Sequence, residues 1–186
     1  MALAHRRLTL DEFLALPEEK PALEYIDGKV TQKMSPKGRH SALQGYLAVF
    51  FNDVGRPNKT AFAFPELRTT FAGASYVPDV AVFRWARIPV DPDGEVADEF
   101  FLPPDIAVEI ASPRQSRPRL RSRCRWYVDN GVSIALLVDP RDHLVARFEP
   151  GQPERVLRGS DIVDCTSIVP GAQLTVDKLF ACLRLD

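Results

Sequence analysis

The stretch Ile106-Ala-Val-Glu-Ile-Ala111 is apolar at every position except Glu109. A short apolar run of this kind is typical of a strand buried inside a sheet. A carboxylate inside such a strand is costly unless a cation or a metal ion compensates it. The stretch therefore predicts a buried sheet and marks Glu109 as a candidate functional residue.

A second acid occupies a comparable position. Asp79 follows Pro78 and opens the apolar run Asp79-Val-Ala-Val-Phe83. We expect the two strands to be neighbours and the two acids to lie together near one end of the sheet. Two close carboxylates are hard to keep ionised without a cation, and oxygen-rich sites suit Mg²⁺ or Mn²⁺. The plainer interpretation is that Asp79 accepts local backbone hydrogen bonds and Glu109 pairs with an arginine.

The rest of the chain predicts an α/β fold around these strands. The predicted helices are a short one after the capping box of Thr9 and Glu12, two long ones over 38–52 and 116–130, and a closing one over 175–182. The predicted strands cover 23–26, 29–34, 59–64, 66–71, 77–84, 105–111, 133–138, 144–148 and 155–157, with a surface loop over 85–104. This order predicts a central mixed β-sheet flanked by helices, with an additional β-hairpin turning at Asp27-Gly28.

Length and composition exclude several classes of protein. The chain has 186 residues, which predicts a single domain over 1–186. Its 45% hydrophobic and 26% charged residues exclude disorder and collagen, and the net charge of −1 does not by itself indicate a nucleic-acid partner. Three cysteines without short spacing predict free, buried thiols, not disulfides or zinc. No apolar run suits a membrane helix or a signal peptide, so we expect a cytoplasmic protein without a membrane partner.

Six short motifs occur in order between about Leu8 and Phe180. They are Glu24 with Tyr25-Ile-Asp-Gly28, Met34-Ser-Pro36 with His40, Pro78-Asp79-Val80, Val108-Glu109-Ile110 with Ser112-Pro113, Tyr127 with Asn130-Gly131-Val132, and Leu137-Val-Asp-Pro140. Together they resemble the Uma family, second type, of restriction-endonuclease-like proteins. The resemblance implies the PD-(D/E)XK nuclease fold, in which an Asp and a Glu bind a divalent metal and a Lys assists the attacking water.

The resemblance assigns roles to individual residues. Asp79 and Glu109 fall on the acidic positions that would bind Mg²⁺ or Mn²⁺. Glu24 and His40 fall where members of this family carry an additional acid and a histidine. Taken alone, these two residues would be an edge-strand acid and a histidine at a helix start.

The lysine of the family pattern is absent from its usual place, which is Ala111. This family often carries the lysine on the following helix, where the matching position is Arg123. Helical spacing puts Arg123 on the same face as Leu120 and Tyr127, so we expect it to point inward and to pair with Asp79 or Glu109. An arginine there stabilises developing negative charge but cannot act as a general base.

Arginines are concentrated at the start of this helix. We predict that Arg114, Arg117, Arg119 and Arg121 bind nucleic-acid phosphates. The alternative is a solvated helix face whose arginines pair with acids, including those of the loop over 91–99.

Together these features predict a metal-dependent DNA endonuclease that hydrolyses phosphodiester bonds, with Asp79, Glu109, Arg123, Glu24 and His40 as catalytic residues. Cutting both strands with one site per chain favours a homodimer. The first alternative is a catalytically weakened nuclease fold that binds nucleic acid or protein. The second is a regulatory scaffold without nucleic-acid contact.

Overall fold

A computed structural model describes residues 7–185 of the chain. Residues 1–6, which belong to the segment without a signal-peptide pattern, and residue 186 lie outside the described residues. The helices are α1 (Leu10–Leu14), α2 (Gly38–Gly55), α3 (Arg117–Asp129) and α4 (Val176–Ala181), with a 3-10 turn over Trp85–Arg87. The strands are β1 (Leu23–Ile26), β2 (Lys29–Gln32), β3 (Ala61–Pro65), β4 (Thr69–Phe71), β5 (Ala74–Tyr76), β6 (Val80–Arg84), β7 (Ile106–Ile110), β8 (Ile134–Asp139), β9 (Leu144–Phe148), β10 (Arg155–Arg158), β11 (Ile162–Asp164) and β12 (Gln173–Thr175).

The central sheet has six strands in the order β10-β9-β8-β7-β6-β3. Strands β7 and β8 run parallel and are joined through α3, whereas the other neighbours are antiparallel. Both parallel strands are buried along their whole length, as their apolar sequences predict. The α/β fold class with a restriction-endonuclease-like core is therefore confirmed.

Each face of the central sheet is covered by a helix. Leu43, Leu47 and Phe51 of α2 pack against one face, where the side chains of Val108 and Ile110 lie. On the other face, Leu120, Cys124, Tyr127 and Val128 of α3 form the stripe that the helical spacing predicts. Alternate side chains of β7 thus pack into the hydrophobic cores on opposite faces of the sheet. Glu109 lies on the face that α3 covers.

A smaller sheet, in the order β2-β1-β5-β4, contains the predicted hairpin. The turn residues Asp27 and Gly28 both have positive φ, 50° and 78°, as a two-residue turn of this kind requires. This turn sets Glu24 opposite Thr31 and Leu23 opposite Gln32.

The strand predictions differ from the structure in two respects. The strand predicted over 77–84 begins only at Val80, because residues 77–79 lead from β5 of the smaller sheet into β6. Asp79 therefore lies in the link between the two sheets. Strands β5, β11 and β12 are absent from the prediction, and the last two form a short pair beside α4.

The three thiols are free, as predicted, but only Cys124 and Cys165 are buried, whereas Cys182 is half-buried. Within residues 7–185, no helix combines the length and the apolar character that a membrane crossing needs.

Candidate active site

Asp79 and Glu109 lie together at the end of the central sheet, as their positions in the sequence predict. Val80 of β6 pairs with Val108 of β7, and continuing this register by one residue places Asp79 beside Glu109. Both residues are only 2% exposed. The backbone N–H of Ile110 donates to Asp79 Oδ2 at 2.6 Å, which fixes the carboxylate against β7.

Two side chains from outside the central sheet contact the Asp79 carboxylate. Lys33 Nζ lies 2.7 Å from Oδ1 and donates a second hydrogen bond to the carbonyl of Val77 at 2.7 Å. His40 Nε2, in the first turn of α2, lies 3.0 Å from Oδ2. Asp79 is therefore held by the hairpin, by α2 and by β7 at once.

Glu109 belongs to a second cluster that includes α3. The hydroxyl of Tyr127 donates to Glu109 Oε1 at 2.7 Å, and Arg123 lies 3.4 Å from the same oxygen. Arg123 also donates to both oxygens of Glu24, at 3.1 and 2.7 Å. Its guanidinium lies 4.9 Å from the centre of the Tyr76 ring. The expected inward position of Arg123 and its pairing with Glu109 are thus present, whereas Asp79 pairs with Lys33 and His40 instead.

Burial and charge shift the pKa values of these groups in different directions. Burial raises the pKa of Glu109 above its usual range, although the charge of Arg123 opposes this shift. Burial also acts to raise the pKa of Asp79, but the His40 hydrogen bond and the Lys33 charge outweigh it, so the pKa is lowered. Burial acts to lower the pKa of Lys33, but the charges of Asp79 and Glu109 outweigh it and raise the pKa. Lys33 is therefore a charged donor at neutral pH.

Lys33 is the functional candidate that the sequence analysis missed. The hairpin register contains the signal that could have found it. Since Leu23 lies opposite Gln32, continuing the pairing by one residue sets Ala22 opposite Lys33, and the Lys33 N–H indeed donates to the Ala22 carbonyl at 2.8 Å. Strand alternation then puts Lys33 on the same face as Glu24, towards the site.

Comparison with known proteins identifies the family. The model of the Uma2 family, described as "Putative restriction endonuclease", matches residues 10–177. The chain belongs to the Uma2 family. It is also similar to the crystal structure of a "putative nuclease" from Anabaena variabilis, with 40% sequence identity and a TM-score of 0.92 over 95% of this chain and 99% of that chain. Among curated proteins, no relative matches the chain. The Uma2 family and this neighbour support a nuclease function.

The groups available to a divalent metal in this Uma2 chain are the two carboxylates. In residues 7–185, no group of three or more His, Cys, Asp or Glu side chains is arranged to hold an ion. Mg²⁺, however, is commonly held by one or two carboxylates, while water and substrate phosphates supply the other ligands. Asp79 Oδ1 accepts a hydrogen bond from Lys33, and Glu109 Oε2 accepts one from Arg123 at 3.5 Å. Because a carboxylate oxygen has two lone pairs, each of these oxygens keeps one for a metal ion. The two carboxylates fit a metal site of this open kind.

The arginines predicted to bind nucleic acid have different environments in this Uma2 chain. Arg117 binds Asp139 through two hydrogen bonds of 2.7 and 3.0 Å, and Arg121 lies 2.8 Å from Glu154. Arg114 and Arg119 are exposed, and neither makes an ion pair within the described part of the chain. The four arginines therefore do not form one continuous surface of unpaired positive charge. The acidic partners also differ from the loop over 91–99, with which no arginine of α3 pairs among residues 7–185.

Proposed function

We propose that the chain is a nuclease that hydrolyses phosphodiester bonds of DNA, with Asp79 and Glu109 holding Mg²⁺ or Mn²⁺. One observation carries this proposal. Two buried carboxylates, one in β7 and one directly before the neighbouring strand β6, lie beside a charged lysine whose Nζ is 2.7 Å from Asp79. This is the combination of groups that the restriction-endonuclease-like resemblance implies, although the lysine comes from the hairpin. A divalent ion bound there would lower the pKa of an attacking water and neutralise charge on the phosphate.

Lys33 acts in this proposal as a hydrogen-bond donor. Since its pKa is raised, the ammonium keeps its proton at neutral pH and cannot serve as a general base in this state. Its side chain is 10% exposed, so it is largely buried but still partly accessible from the surface. Donation to a phosphate oxygen in a site largely shielded from water stabilises the charge that develops in the transition state.

Arg123, Glu24 and Tyr127 position Glu109. The bidentate contact with Glu24 and the stacking on Tyr76 fix the guanidinium, which in turn holds Glu109 together with the Tyr127 hydroxyl. His40 has the corresponding role at Asp79. These residues keep the two carboxylates ready for a cation and limit the reorganisation that binding requires.

Supercoiled-plasmid nicking with Mg²⁺ or Mn²⁺ tests the proposal. Asp79→Asn and Asp79→Ala should each reduce the nicking rate by at least about a hundredfold, because each removes a carboxylate that holds the ion. Glu154→Gln is the matched control, since it neutralises an acid whose partner, Arg121, lies outside the site. Circular dichroism would confirm that the variants are folded. Unchanged nicking by both Asp79 variants would overturn the assignment.

The weakened nuclease fold remains the second candidate, because the site already contains its own cations. Lys33 contacts Asp79, and Arg123 contacts Glu24 and Glu109, so the chain partly neutralises its three acids without an ion. Calorimetric titration of Mn²⁺ separates the candidates. Binding that Asp79→Asn abolishes supports the nuclease. DNA retention without Mn²⁺ binding or nicking would favour a binding module.

A further inference from the structure

A basic groove adjoins the candidate site on the side of α2. Its volume is about 640 Å³, and it lies where the first turn of α2, the segment after β7, the start of α3 and the segment after β8 meet. The lining residues are Lys37, Gly38, Arg39, His40, Ala111, Pro113, Arg117, Pro140 and Arg141. None of them is acidic, whereas the groove beside the hairpin is lined by four acids as well as three cations.

The 18-residue helix α2 begins at this groove without a capping side chain. Lys37 has the extended backbone of an N-cap residue, with φ −105° and ψ 166°, but its side chain makes no capping hydrogen bond. The first hydrogen bond of the helix runs from the Ser41 N–H to the Lys37 carbonyl, so the N–H groups of residues 38–40 precede it. No acidic residue lies in the first turn, and a Cβ placed on Gly38 would meet nothing within 4 Å. The positive end of the helix therefore borders open space.

His40 provides an independent sign of a ligand. It is 7% exposed, and its Nε2 faces Asp79, whereas its buried Nδ1 has no hydrogen-bond partner. Buried polar atoms are nearly always paired in native proteins. The ring also lines the groove, so a group bound there would lie beside a residue whose buried nitrogen lacks a partner.

Side chains with unused charge surround this helix end. Lys37 and Arg39 are exposed and form no ion pair within residues 7–185. Arg141 is 79% exposed and approaches Asp142 only at 4.0 Å. A second cavity shares Lys37 and Pro113 with the groove and adds Arg114. Arg117 differs, because its guanidinium is already bound to Asp139.

We propose that this groove is a phosphate subsite for the nucleic-acid strand, holding a backbone phosphate next to the bond positioned at Asp79. Its placement relative to the cut rests on the proposed nuclease function. The size of the groove and the adjoining cavity lined by Arg114 suit a chain of phosphodiesters better than one free phosphate ion. The His40 ring, which touches both the groove and Asp79, joins the subsite to the candidate active site.

Lys37→Asp tests the subsite without weakening the fold. Aspartate is a preferred N-cap residue, so the variant should be at least as stable as the wild type. The new carboxylate would bind the free N–H groups and repel phosphate. Lys178→Asp makes the same change of charge at an exposed residue of α4 outside the groove.

The readout is the fluorescence anisotropy of a short labelled DNA duplex in EDTA, over a range of salt concentrations. Lys37→Asp should weaken binding by about tenfold relative to Lys178→Asp. It should also reduce the slope of log Kobs against log salt by about one. Equal binding by the two variants would overturn the subsite, as would a wild type that binds no DNA at low salt.

Two further measurements separate this inference from the proposed function. If the wild type binds DNA in a Lys37-dependent way but does not nick plasmid, the subsite stands and the nuclease proposal fails. If nicking occurs and both variants bind DNA equally, the nuclease proposal stands and the subsite fails. Calorimetry with inorganic phosphate checks the source of the anion. Phosphate binding lost in Lys37→Asp, without any effect on DNA binding, would assign the groove to a free anion and overturn the proposal.

Discussion

Lys33 supplies the ammonium group that contacts Asp79 in the candidate site. The motif position on α3 carries Arg123, which is engaged with Glu24 and Glu109, so Asp79 receives its ammonium from the hairpin instead. We predict that Lys33→Met reduces plasmid nicking by about a hundredfold, whereas Lys33→Arg keeps part of the activity because a cation remains. Mn²⁺ affinity, measured by calorimetry, should not fall in Lys33→Met, since the substitution removes a cation that competes for Asp79.

The combination of lost nicking and retained Mn²⁺ binding distinguishes a catalytic lysine from a structural one. If Lys33→Met lost the metal as well, the ammonium would serve to hold Asp79 in place. Nicking at the wild-type rate in Lys33→Met would contradict any role in the reaction.

Tyr127 offers a second test at the residue scale. Burial raises the pKa of Tyr127 well above its usual range, so the fully buried hydroxyl stays a donor to Glu109. Tyr127→Phe should lower the free energy of unfolding by about 1–3 kcal/mol, because it leaves a buried carboxyl oxygen of Glu109 with one hydrogen bond fewer. Tyr25→Phe, which removes a 2.8 Å hydrogen bond to the Leu8 carbonyl, should cost about 1 kcal/mol or less. Urea denaturation measures both, and equal losses would mean that the burial of Glu109 adds nothing.

The sequence indicates candidate residues best where the chemistry of a side chain conflicts with its surroundings. A carboxylate in an apolar strand stands out in the sequence, and the motifs brought in Glu24 and His40. Lys33 does not stand out, because a lysine near the end of an exposed hairpin strand is ordinary. Only the pairing of β1 with β2 turns it towards Asp79.

At the scale of elements, the Arg117–Asp139 pair connects the start of α3 to the end of β8. Asp139 is 2% exposed, and Arg117 also donates to the carbonyls of Ser112 and Gln115. The pair thus fixes the segment that leads from β7 and Glu109 into the helix that carries Arg123. An arginine assigned from sequence to phosphate binding is, in the folded chain, bound to an internal acid.

This pair makes stability depend on pH. Burial acts to raise the pKa of Asp139, but the Arg117 hydrogen bond outweighs it and the pKa is lowered. The pair therefore stabilises the protein above the unfolded pKa of about 4, and this contribution is lost as pH falls through the lowered folded value. We predict that Asp139→Asn costs about 1–3 kcal/mol at neutral pH, and that the difference from wild type shrinks under acid.

Urea denaturation at several pH values checks this prediction. Glu154→Gln is the control, since its more exposed pair with Arg121 should be worth at most about 1 kcal/mol. A difference between Asp139→Asn and wild type that stayed constant from neutral to acid pH would show that the hydrogen-bond geometry matters and the charge does not.

The sequence predicts long elements better than short ones. Helices α2 and α3 and strands β7 and β8 have strong apolar patterns, and their positions were predicted to within a few residues. Strand β5 has only three residues and follows a turn at Ala72 and Gly73 with positive φ, so no strand was predicted there. Short strands that pair at the edge of a second sheet are fixed by tertiary contacts, not by local periodicity.

At the scale of the whole molecule, the candidate site exists only when both sheets and two helices have come together. Arg123 and Glu24 are 99 residues apart in sequence, and Lys33 and Asp79 are 46 apart. The sequence could place the carboxylates through neighbouring strands, but the link between the two sheets brings Glu24 and Lys33 to them. The site is therefore a property of the assembled fold, and its charges are balanced across elements that are distant along the chain.

One carboxylate pair per chain leads to a prediction about how DNA is cut. A single chain that holds one phosphodiester cuts one strand per encounter, whereas a symmetric dimer presents two sites to opposite strands. We predict that nicked circles accumulate first, and that the ratio of linear to nicked plasmid rises with protein concentration. Gel analysis of a plasmid time course, with sedimentation at the same concentrations, measures both quantities. A constant ratio while the protein sediments as a monomer would contradict the need for a dimer and would require one chain to cut both strands in turn.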